Sequence, residues 1–266
     1  MNRLKIIVAA LCITFLTGVA NLSFAEEQKT TYLVVGYKAW FNTWTTPVGH
    51  FAPQGGANFT QIQSDSVVAS IPSVALKISD FLISSSYMIS PTYTFTAYTD
   101  TINISGTPFT SKSTTTAERK ELDVNVGYYV APSLAITLGY KTVDQDYHTK
   151  ESGTGLVSTS SDSTTKYKGP TIGVAGSAQI GGGFGIYGNG AYGQMKATYT
   201  GVSREDDAIY ASSELGLTYR PANWINLSLA YKIQTIDTDD GTPAYSGQNA
   251  VTDTTKGYIL GANLIF

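Results

Sequence analysis

Glu121 to Val130 alternates strictly between two kinds of side chain. Leu122, Val124, Val126, Tyr128 and Val130 share one face, and Glu121, Asp123, Asn125, Gly127 and Tyr129 share the other. The pattern returns from Ile225 to Gln234, where Ile225, Leu227, Leu229, Tyr231 and Ile233 stand opposite Asn226, Ser228, Ala230, Lys232 and Gln234. A third run sets Leu33, Val35, Tyr37, Ala39 and Phe41 against Val34, Gly36, Lys38, Trp40 and Asn42. A β-strand puts successive side chains on opposite faces, so a period of two means a strand with one oily and one polar side. No segment beyond Ala25 keeps the period of a helix. The fold class is therefore all-β.

Ten strands account for the pattern, at approximately 31–44, 70–79, 81–97, 117–130, 134–147, 167–180, 184–199, 208–220, 224–236 and 254–266. Pro72, Pro91 and Pro170 fall inside three of them and each removes a ladder donor, so eight strands also fit. The connections alternate in length. Ser79-Asp80, Ala131-Pro132-Ser133, Gly181-Gly182-Gly183 and Pro221-Ala222-Asn223 are built from turn formers. The others, at about 45–69, 98–116, 149–166, 201–207 and 237–253, are long and rich in Ser, Thr, Gly and Asp.

An oily face on a sheet is turned inward in a soluble sandwich, or outward into lipid in a transmembrane barrel. Proposed strands of ten residues or more exceed the usual ~5–6 of a sandwich and match a tilted span of a bilayer. Short turns at one end and long loops at the other fit an antiparallel transmembrane β-barrel. So does a charged fraction of only 14%, because a lipid-facing charge at midplane costs about 2–4 kcal/mol. Aromatic residues near the proposed strand ends (Phe41, Trp44, Phe81, Tyr93, Phe95, Tyr128, Tyr219, Trp224 and Phe266) suit girdles at the two interfaces. A net charge of −3 leaves no basic excess for nucleic acid.

The last strand is the most specific feature. Tyr258, Leu260, Ala262, Leu264 and Phe266 form an unbroken apolar face that ends in an aromatic residue. It resembles the C-terminal strand of Gram-negative outer-membrane β-barrel proteins, in the style of the small outer membrane protein A and opacity-type or porin-like barrels. That resemblance covers the pattern of the chain after residue 25. It implies that these five residues are the assembly signal. The implied partners are outer-membrane lipid, lipopolysaccharide, the outer-membrane assembly machinery and periplasmic chaperones, in the outer membrane of a bacterial cell. It implies a porin-like or structural role with at most limited diffusion of small solutes, or a surface-binding role carried by Ser/Thr-rich external loops.

Residues 1–25 read as a signal peptide, with Arg3 and Lys5 before an apolar run and Ser23-Phe24-Ala25 at the cleavage site; residues 26–266 are the barrel domain. On the polar faces lie Lys38, Lys77, Glu121, Asp123, Lys141, Glu214, Arg220 and Lys232, the candidates for lining a lumen. Small residues there, such as Gly127, Ala135, Gly139, Ser177, Ala230 and Gly261, would leave room for water. No catalytic set is expected. Asp144, Asp146 and His148 share a strand face near the rim, where ordinary solvated surface explains them as well as chemistry does. Asp237, Asp239, Asp240 and Gly241 lack the spacing and distal Glu of a calcium loop, so no metal or other cofactor is expected.

Overall fold

The computed structural model describes residues 31–52, 56–104, 107–153, 156–239 and 251–266. The expected signal peptide, Asp240 and Gly241 lie outside the described residues. Among the described residues everything regular is β-strand: β1 (Thr31–Ala52), β2 (Gly56–Gln63), β3 (Val67–Ile78), β4 (Phe81–Met88), β5 (Thr92–Thr94), β6 (Tyr98–Ile104), β7 (Thr107–Ala131), β8 (Leu134–Gly153), β9 (Leu156–Gly181), β10 (Phe184–Tyr199), β11 (Val202–Ala222), β12 (Ile225–Asp239) and β13 (Val251–Ile265).

Ten of them close into an antiparallel barrel in the order β1-β3-β4-β7-β8-β9-β10-β11-β12-β13, with β13 pairing back onto β1. The seam runs in register from Val34↔Ile265 to Thr45↔Thr254. Leu33 and Phe266 exchange backbone hydrogen bonds at 3.2 and 2.9 Å, so the terminal aromatic is tied into the closure. The remaining strands continue the wall at one end. β2 folds back on the outer half of β1, and β5 and β6 pair with the outer half of β7.

Four two-residue hairpins lie at the other end, at Ser79-Asp80, Pro132-Ser133, Gly182-Gly183 and Asn223-Trp224. Gly182 and Gly183 have φ of 61° and 80°, as the tight hairpin turn between twisted strands requires. The prolines act where expected. β3 loses its pairing to β4 next to Pro72, the expected strand 81–97 breaks at Pro91 into β4 and β5, and the β9–β10 ladder skips Pro170.

Outward residues form a continuous apolar belt over the half of the barrel nearest the short turns. Val74, Ile83, Val126, Leu138, Ile172, Leu217, Leu229 and Leu260 are each about half exposed on its surface. On β12 the belt runs from Ile225 to Ile233, about 26 Å along the strand and near 20 Å in height after a ~40° tilt, close to the hydrocarbon band of a transmembrane barrel. Above it the outward residues become Glu118 and Lys120 on β7, Asp144 on β8, Lys166 on β9 and Lys256 on β13.

The long connections expected as loops at 45–69, 98–116, 149–166 and 201–207 are largely strands, while residues 240–250 of the fifth lie outside the described residues. β7 has 25 residues and β9 has 26, so at ~3.3 Å per residue β9 measures about 85 Å and stands well clear of the belt. Ser and Thr explain why the sequence hid this. The extensions are polar on both faces, so alternation vanishes, while Thr keeps a high strand preference. Of the nine aromatics expected in girdles, Phe41, Phe81, Tyr128, Tyr219, Trp224 and Phe266 do face outward. Trp44, Tyr93 and Phe95 instead face the interior, at 0%, 0% and 3% exposure. Trp44 shares the parity of Trp40 and Asn42 on β1 and follows them inward.

Candidate functional site

All eight charged residues expected to line a lumen lie on the inward face, because each has the parity opposite to its strand's apolar run. The space between them is crossed by side chains. Glu121 accepts hydrogen bonds from Arg119 Nε, Lys141 Nζ and Gln234 Nε2, each at 2.7 Å. Lys141 also donates to Asp123 at 2.7 Å, and its side chain is wholly buried. β7 and β12 are five places apart in the ring of ten, so the Gln234–Glu121 bond spans the barrel's full width.

A second crossing lies nearer the external end. Asp253 on β13 accepts from Trp44 Nε1 at 3.3 Å and from Gln145 Nε2 of β8 at 3.4 Å. β8 and β13 are again opposite each other. Arg119 Nη1 donates to Thr255 at 2.9 Å, and its guanidinium lies 5.3 Å from the Trp44 ring. Tyr93, Phe95 and Tyr147 surround that ring at centroid distances of 5.2, 5.2 and 5.4 Å. Tyr93 donates to Asn42 at 2.9 Å. Burial pushes the Asp253 carboxyl above the usual carboxylate range, against the opposing pull of hydrogen bonds from Thr46, Trp44 and Gln145 and of the Arg119 charge.

Apolar clusters fill the space around these bonds. Val143, Tyr167, Met195, Tyr210 and Ile236 form one, and Trp40, Ile71, Met88 and Ile259 another. Lys232 sits 4.7 Å from the Trp40 ring and Lys141 5.0 Å from the Tyr210 ring. Lower in the barrel, Lys38 and the Tyr187 hydroxyl both donate to Glu214, at 2.8 and 2.7 Å. Lys77 lies 4.6 Å from the Tyr129 ring. Of the small inward residues expected to leave room, Ala230 packs into the Trp40 cluster, Gly127, Gly139 and Gly261 sit against Thr137, Asn125 and Ser228 of their paired strands, and Ser177 lines open space lower in the barrel.

Sequence reasoning missed Arg119, Gln145, Asp253, Trp44 and Tyr93. Arg119 and Gln145 share strand faces with Glu121 and Lys141, one and two alternation steps away, and that parity was the available signal. Tyr258, Leu260, Ala262 and Leu264 lie on the outer face of β13, the strand that closes the barrel, and Phe266 continues that face just beyond its end. Asp144, Asp146 and His148 also point outward, on the extramembrane part of β8, where His148 Nδ1 meets Asp162 Oδ1 at 2.5 Å and Asp146 accepts from Thr164 at 2.8 Å. Among the described residues, no three His, Cys, Asp or Glu side chains gather closely enough to hold a metal ion.

Among solved structures, the outer membrane protease OmpT of Escherichia coli matches over 92% of this chain and 98% of its own, at 13% identity and a TM-score of 0.53. The chain has the fold of an outer-membrane β-barrel. At that identity the likeness is one of fold. The toluene transporter TbuX of Ralstonia pickettii matches at 10% identity, covering 90% of both chains, with a TM-score of 0.36. The attachment invasion locus protein Ail of Yersinia pestis matches at 10% identity over 89% of this chain and 97% of its own, with a TM-score of 0.30. No family model and no curated protein matches the sequence. The apolar belt and the barrel fold put the chain in the bacterial outer membrane.

Proposed function

We propose that this barrel is a closed scaffold that displays an extended β-wall at the cell surface for binding. The observation that carries the reading is the wall itself. β7, β8 and β9 continue far past the apolar belt as one paired sheet, from Ser111↔Gly153 and Gly153↔Leu156 downward. The wall is rich in Ser and Thr and carries charges of both signs. Such a surface offers many hydrogen bonds and little net field, which suits neutral hydroxylated partners such as glycans. The packed interior supports it, since a wall tied across its base at Gln145–Asp253 and Gln234–Glu121 cannot splay. These crossings favour the structural side of a porin-like or structural role.

The test is adhesion of bacteria displaying the chain to immobilised glycans. A variant lacking residues 151–160 is expected to lose adhesion while keeping the heat-dependent gel shift of a folded barrel. Equal adhesion by both would refute the display reading.

A further inference from the structure

Between the crossed interior and the short turns lies a cavity of about 300 Å³, the volume of about ten waters at ~30 Å³ each. Lys38, Gln179, Tyr187, Arg220, Asn226 and Asn263 line it. Gln179 precedes the β9–β10 turn, while Arg220 and Asn226 flank the β11–β12 turn. Asn263 lies on the last strand. The short turns mark the periplasmic end of such a barrel, so the cavity is a vestibule at the periplasmic end. It is blind on the other side, where the Glu121 network closes the way.

We infer that this vestibule is a binding site for a small hydroxylated organic anion from the periplasm. Its lining is rich in donors. Glu214 takes one of the three protons that the Lys38 ammonium can donate, and Lys38 keeps 28% of its side-chain surface open. Amides from Gln179, Asn226 and Asn263 and the Arg220 guanidinium surround the same volume. The local field has one sign. Apart from Asp123, which is bonded to Lys141, the inward charges on this side of the network among the described residues are Lys38, Lys77, Lys232 and Arg220 against Glu214 alone. A cleft with low-dielectric walls concentrates such a field and draws in the opposite charge. A carboxylate or phosphate would meet the cations, and its hydroxyls would meet the amides. The inference is independent of the display reading, because it concerns the opposite end of the barrel.

The test uses purified protein folded in detergent micelles and three probes: glucuronate, glucose 1-phosphate and glucose. Titration calorimetry is expected to show saturable binding of both anions and binding of glucose weaker by about tenfold or more, the scale of a lost hydrogen bond to a charged group. Arg220→Gln should weaken the anions about tenfold. Ser177 also lines the cavity, and Ser177→Trp, which fills it, should abolish binding. No saturable anion binding, equal binding of glucose, or indifference to both variants would overturn the assignment. Should either variant fail to assemble, the contrast between anions and glucose on the unaltered protein still decides it.

Discussion

Removing the Glu121 carboxylate is the severest single change the interior offers. Its oxygens hold Arg119, Lys141 and Gln234 at once, and the two cationic side chains are 1% and 0% exposed. Glu121→Ala leaves Arg119 with Thr255 and Lys141 with Asp123, so two buried positive charges lose their shared counter-ion. Breaking a buried ion pair by removing one partner costs about 3–5 kcal/mol, mostly as desolvated charge left behind. At a urea dependence of ~3 kcal/mol/M, this lowers the unfolding midpoint by about 1–2 M. Trp40 and Trp44, both wholly buried in the interior, report the transition by fluorescence in micelles. A companion variant sharpens the argument. Replacing Arg119, Glu121, Asp123 and Lys141 together by Leu, Met, Leu and Met removes the bonded charges as a set, which in other proteins is neutral or stabilising by about 1–4 kcal/mol. The variant is thus expected to recover most of the loss. A loss below about 1 kcal/mol for Glu121→Ala would refute the claim that this carboxylate organises the buried network.

Three further outcomes are expected. Burial raises the Asp253 carboxyl in the folded state, so its cost is absent at pH values below the ordinary ~4 of an unfolded Asp and grows as pH rises through the folded value; Asp253→Asn should stabilise the barrel at neutral pH, with the gain fading near pH ~4 in urea titrations. A Cβ at Gly257 would run into the Phe41 carbonyl across the closing seam, so Gly257→Val should destabilise by about 1–3 kcal/mol, read as a lower midpoint for the heat-dependent gel shift. Phe266→Ser should reduce the amount of folded barrel recovered from outer membranes, as expected of a terminal assembly signal, while leaving total synthesis unchanged.

Alternation made the barrel legible. The parity of Leu122–Val130 and Ile225–Ile233 assigned both faces of two strands, and every charged residue expected inside is inside. What parity does not encode is reach. It placed Lys141 and Gln234 on inward faces but could not show that Gln234 touches Glu121 on the opposite wall, because that depends on strand number, stagger and side-chain length together. Trp44, Tyr93 and Phe95 departed from the expected girdles for a related reason. Position near a strand end suggested a girdle for Trp44 and Tyr93, whereas facing decided the matter. The external wall stayed hidden because a Ser/Thr strand with water on both faces has no hydrophobic period to detect.

Ion conductance across a planar bilayer tests the closed interior most directly. The unaltered protein is expected to give no steady channel steps, since Gln234–Glu121 and Gln145–Asp253 cross the full width and aromatic rings fill the gaps. A variant carrying Trp44→Ala, Arg119→Ala and Glu121→Ala should conduct. Steady ohmic steps from the unaltered protein would contradict the account.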